Sequence, residues 1–148
     1  MNIRLATEAD DEALARLLSE VPMPGPLQLT SACGRSFFRA LAVEGRDPLV
    51  VVAEQEGRLV GMGAAVVRDA YLGGRLARIR YLGSLRVAPE ARGSRALVRG
   101  YALLHQHLIA QPDDLRVTAI MDGNPWARSI LTGARTGLPT YQPLARLV

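Results

Sequence analysis

The 148-residue chain has no lysine, one cysteine, two histidines and few aromatic residues (5%). A single cysteine excludes an internal disulfide and any cysteine-rich zinc site. Cys33 has no neighbouring histidine or local signature, so it reads as a buried thiol and not as a nucleophile. His105 and His107 are two residues apart on an expected helix, point in different directions and cannot share a metal. The longest apolar runs, such as Gly61 to Val67, fall far short of the roughly 20 residues needed to cross a bilayer. The opening MNIRLATEADDE is acidic and lacks a basic-then-apolar leader. A cytoplasmic protein with no membrane contact is expected.

What is present suffices for one folded domain. Hydrophobic residues make up 49% and charged residues 22%, with a mean hydropathy of +0.09. Disordered chains combine few apolar residues with high net charge, the opposite pattern. All 18 basic residues are arginine, which reads as the codon bias of a GC-rich genome. The pI near 10.0 therefore overstates a net charge of only +4. The charge is unevenly placed. Residues 68 to 99 carry a net +6 and the rest of the chain a net −2. An anionic ligand is expected in that segment.

Hydrophobic spacing predicts the order β-α-α-β-β-β-α-β-α-β, a mixed and mostly antiparallel sheet of about six strands flanked by four helices. Ile3 and Leu5 start a strand, and Thr7 with Asp10 has capping-box spacing ahead of Leu14, Leu17, Leu18 and Val21. The prolines after Val21 end that helix, and Val21 to Thr30 is the candidate lid. A second helix is expected over Ser31 to Val43, broken by Asp47-Pro48. Strands follow over Leu49 to Glu54, Arg58 to Arg68 and Leu76 to Val87, the first two joined by Glu56-Gly57. A helix over Ser94 to Ala110, a strand over Leu115 to Met121, a helix over Pro125 to Thr132 and a last strand over Thr140 to Val148 complete the pattern. Strict alternation on the long strand puts Arg78, Arg80 and Arg86 on one face. That face either reaches solvent and carboxylates or meets an acidic acceptor or a subunit.

The stretch YLGSLRVAPEARGSRA, Tyr81 to Ala96, runs from a strand through Pro89 and small residues into a helix start. Amides there lack internal partners and lie at the positive end of the helix dipole, so the turn is either an anion cradle or a plain solvated βα turn. Arg92 and Arg95 flank it.

Leu85, Val87, Pro89, Arg92 and Gly93 resemble the coenzyme A-binding segment of the GCN5-related N-acetyltransferases, the GNAT superfamily. The opening IRLATEADDEALARLL is similar to the family's first strand and helix, and Asn124-Pro-Trp-Ala127 to its later Asn-x-x-Ala element. Across residues 1–148 this resemblance implies one GNAT-like domain using acetyl-coenzyme A. The cofactor would lie in a V where the strand ending at Val87 parts from the next. It implies that backbone groups of Leu85, Arg86 and Val87 hold the pantetheine arm. Amides of Arg92, Gly93, Ser94, Arg95, Ala96 and Leu97 would hold the pyrophosphate, with Asn124 near the cofactor or an ordered water. An amine, on a small molecule or a peptide, would attack the thioester directly while a base takes its proton and a strand amide stabilises the oxyanion.

The chain departs from the family pattern at chosen points. Arg95 and Leu97 stand where glycine or alanine is usual, Gly83 and Ser84 where an acidic base is common, and Leu131 where a tyrosine acid is common. Tyr81 is then the catalytic acid candidate, against a reading as a core or cleft-lining aromatic; Tyr141 has the same two readings. Trp126 either anchors the short helix or packs on pantetheine. One terminal strand where these proteins have two implies a missing strand, taken from a partner subunit as a homodimer or belonging to a longer protein. A catalytically degenerate sensor or assembly module is the alternative function. A nucleic-acid binder fits less well, for want of interleaved aromatics and large positive charge.

Overall fold

The structure, a computed structural model, describes residues 1–23, 34–111 and 115–146. Alternating apolar residues dictate its central sheet. Val50 and Val52 on β2 (Arg46–Gln55) and Val60, Met62, Ala64 and Val66 on β3 (Arg58–Leu72) are buried on one face. β1 (Asn2–Leu5) pairs antiparallel with β2, and β4 (Arg75–Val87) with β3. β5 (Leu115–Thr118) adds in parallel to β4, so the order is β1-β2-β3-β4-β5. Gly73 and Gly74 close the long β3–β4 hairpin with φ values of 58° and 79°, the left-handed backbone that tight hairpins demand.

Helices cover both faces. α1 (Asp11–Glu20) buries Leu14, Leu17 and Leu18, and α2 (Phe37–Glu44) buries Phe37 and Leu41, against the valine face of β2 and β3. The expected Thr7–Asp10 box is present: the Thr7 amide donates to Asp10 Oδ2 at 2.8 Å. α2 starts at Phe37 because Ser36 Oγ accepts from the Arg39 amide at 3.2 Å. Its expected beginning, residues 31–33, lies outside the described residues, as do Cys33 and most of the candidate lid (residues 24–30). The helix ends at Gly45, ahead of Asp47-Pro48, which lies inside β2; a Cβ at Gly45 would sit 2.6 Å from the Val67 carbonyl. α3 (Ala96–Leu108) crosses the opposite face, and α4 (Pro125–Leu131) follows β5.

Two expectations on strands are corrected. The described residues hold five strands and not six, and the expected last strand over Thr140 to Val148 is not formed across residues 139–146. Pro143 removes a ladder donor there, while side chains tie the segment down: Tyr141 meets Tyr101 and Arg146 meets Asp122. A dimer through that strand loses its structural premise. β5 also stops at Thr118, short of Met121.

Candidate functional site

Ser84 redirects β4. Met62 pairs with Arg86 and Ala64 with Gly83, so Gly63 alone faces both Ser84 and Leu85. Ser84 absorbs the extra residue as a β-bulge with φ +53°. Side-chain alternation reverses beyond it. Arg80 is opposite Val67 on the α3 face, but Arg86 is opposite Met62 on the α1–α2 face. Arg78, Arg80 and Arg86 therefore do not share a face, because the bulge inserts a half-period that strict alternation ignores. Arg78 is exposed; Arg80 is buried and donates to Gln111; Arg86 is 5% exposed.

β4 and β5 form a fork. Their pairing ends at Leu82 opposite Thr118, where Thr118 Oγ1 donates to the Leu82 carbonyl at 2.8 Å. β4 then continues alone on that side to Val87. Beyond the fork its carbonyls are met by side chains: Arg86 Nη1 donates to Leu85 O at 2.9 Å and Arg92 Nε to Val87 O at 3.3 Å. Under the fork lies an apolar cavity walled by Leu82, Leu85, Val87, Leu97, Tyr101 and Leu104, with Thr118 at its edge. Missing side chains make this room. Gly61 and Gly63 leave the α3 face of β3 bare, and Gly100 lets α3 approach Val51.

Past Val87 the chain makes one short 3-10 turn, Pro89–Ala91, and enters α3. Arg92, Gly93, Ser94 and Arg95 are all exposed around this turn. Gly93 has φ +83° with no atom within 4 Å of where a Cβ would stand, so the turn is open above it. Ser94 Oγ accepts from the Ala96 amide at 3.2 Å and donates to Ala91 O at 2.7 Å. The amides of Leu97 and Val98 have no acceptor within the helix and, with the dipole, offer donors to an anion. No acidic residue occupies the first turn of α3. Leu97, half-buried, lines the cavity with the helix stripe, and Arg95 stays at the exposed rim.

The remaining candidates come together at the same end. Asn124 is buried, and its Oδ1 caps α4 by accepting from the Ala127 amide at 3.0 Å. Trp126 anchors α4 in the core and also lies under Arg92, whose guanidinium is 5.5 Å from its ring centroid. Tyr81 is half-buried on the α1–α2 face, its ring leaning over Gly83 and covered by Arg68 at 4.5 Å. Sequence spacing placed Tyr101 in the helix stripe and missed its role as a cavity wall. Its hydroxyl meets that of Tyr141 at 3.2 Å, and burial pushes both phenols up from their ordinary values. Only the folding back of residues 137–141 onto α3 brings this pair together. Among the described residues no aspartate, glutamate or histidine lines the cavity, and no acidic or histidine cluster could hold a metal.

No family model matches the chain, and no curated protein is significantly similar to it. Solved structures are similar over its whole length. A mutant of the BH1408 protein from Bacillus halodurans is 18% identical with a TM-score of 0.71, over 100% of this chain and 99% of that one. Glucosamine-6-phosphate N-acetyltransferase from Arabidopsis thaliana is 15% identical with a TM-score of 0.65, covering 99% and 97%. The aminoglycoside N-acetyltransferase AAC(6')-Iy in complex with CoA is 12% identical with a TM-score of 0.65, covering 99% and 100%. Among the described residues no helix is long and apolar enough to cross a membrane. A strand fork over an apolar cavity, opening onto a helix start, in a chain similar to these structures end to end: the protein has the GNAT fold.

Proposed function

We propose that the chain is an N-acyltransferase taking acetyl-coenzyme A as donor and an amine as acceptor. The fork carries this reading: pairing stops at Leu82 and Thr118 while β4 runs on to a cationic helix start. Residues on both sides fit the donor. The apolar cavity suits a pantetheine arm, the open turn at Gly93 admits a diphosphate, and Arg92 and Arg95 add charge there. Leu97 is itself part of the cavity wall, in the helix stripe and away from the exposed rim at Gly93. The donor supplies an activated acyl thioester. The chain's own part is to hold it, to present backbone donors beyond the fork and to exclude water with apolar walls. Tyr81, whose ring leans over Gly83 beside the bulge, is the acid candidate.

A second reading, a sensor or assembly module on the same fold, draws on two observations. The Leu85 and Val87 carbonyls are already met by arginines, and the cavity of the described chain has no base. Calorimetry with acetyl-coenzyme A followed by a panel of amines separates the two. Saturable micromolar binding with turnover is expected. Binding without turnover would favour the module, and no heat at millimolar cofactor would remove both the donor assignment and the enzyme.

A further inference from the structure

Among the described residues Arg86 is a buried cation with no counter-ion. Other arginines have theirs: Arg4 holds Asp10 and Glu54, Arg46 holds Asp69, and Arg128 and Arg146 share Asp122. Arg86 is 5% exposed, and its Nη1 is satisfied only by the carbonyl of the preceding residue, Leu85. Its Nε is buried without any hydrogen-bond acceptor among the described residues. Burial lowers its pKa, yet a guanidinium stays charged in a protein. A buried, unpaired charge is among the more destabilising features a protein can carry, and an apolar residue of similar volume would avoid it.

We infer that Arg86 receives a carboxylate on the acceptor, so that the amine substrate is an amino acid or another molecule bearing amine and carboxylate together. The inference deepens the acyltransferase reading and rests on it for the word acceptor. The bulge at Ser84 turns Arg86 away from the α3 face and onto the α1–α2 face, the side on which Tyr81 leans over Gly83. The diphosphate donors at Gly93 to Val98 lie past the end of the strand and have Arg92 and Arg95 of their own. With Nη1 engaged, the Nε–Nη2 edge is the part of the fork left for side-on, bidentate pairing, which matches a planar carboxylate. One fixed cation balances one negative charge and would leave a dianionic phosphate half compensated.

The test reads Arg86 directly. In ¹⁵N-labelled protein the Arg86 Nε–H resonance is followed while N-acetylglycine, N-acetylglycinamide or methyl phosphate is added. A saturable shift with N-acetylglycine, none with the amide and none in Arg86→Met is expected. Equal shifts with acid and amide, no shift at all, or a shift with methyl phosphate alone would overturn the assignment. Turnover gives a second arm: kcat/KM for alanine and β-alanine should exceed that for their amides about 100-fold, with the ratio collapsing toward 1 in Arg86→Met. A ratio near 1 in the wild type also overturns it. Arg86→Met should unfold at an equal or higher temperature; a marked fall would make Arg86 a structural residue and sink the proposal. Failure of acetyl-coenzyme A to bind would strike the enzyme reading alone, since N-acetylglycine titrates without it.

Discussion

Asp10 combines a helix-start role with an ion pair. Its carboxylate takes two hydrogen bonds from Arg4 at 2.7 Å and one from the Thr7 amide at 2.8 Å. The Arg4 hydrogen bond, opposed by desolvation and aided by Thr7, holds the carboxyl well below its ordinary 3.8. With the folded pKa below the unfolded one, the stabilisation is complete above about pH 4 and is lost as pH falls toward the folded value. Urea midpoints should therefore hold through neutral pH and drop below about pH 4. Asp10→Asn should lose roughly 1–2 kcal/mol at pH 7 and flatten the acid limb. An acid limb unchanged by the substitution would refute the linkage. The residues of this cap were legible in the sequence because a box is a local, four-residue pattern. Arg4 was not, since it meets Asp10 across the turn from β1 into the helix, and its second partner Glu54 only once β1 is laid beside β2.

At the scale of elements the bulged β4 decides the site. Ser84 holds a left-handed φ that costs an L-residue roughly 1–2 kcal/mol. Ser84→Gly should leave stability unchanged or raise it by up to about 1 kcal/mol. Ser84→Val should lower it by about 1–2 kcal/mol, because a β-branched residue resists that backbone. Denaturant titration of both variants checks this, and equal stability of glycine and valine would mean the strand is regular there. Period-2 reading predicted one arginine face, and the bulge split it. No local pattern in LGSLRV announces an extra residue; register against β3 does. The last strand failed for a related reason. Its apolar residues fit a strand, but a strand requires a neighbour, and Pro143 and the Arg146–Asp122 pair hold the segment elsewhere.

For the whole molecule, the consequence is a cleft whose described walls hold no titrating base. Phenols at Tyr101 and Tyr141 are pushed up by burial and keep their protons near neutral pH. Under the proposed acyltransferase reading, the acceptor arrives as the free amine. For a given acceptor amine, log(kcat/KM) should rise with unit slope up to the amine's own pKa, and the profile should move with that pKa when the acceptor is changed. A limb at one fixed pH for all acceptors would reveal a protein base instead.

Local patterns in this chain set the helices, the β3–β4 hairpin, the cap at Thr7 and the strand-turn-helix after Tyr81, because each depends on residues within a few positions of one another. The five described strands, the reversal at Ser84, the tyrosine pair and the burial of Arg86 emerged only when distant segments met. Burial and pairing are properties of neighbours in space, and the fork at Leu82 exists because β5 stops there and β4 does not.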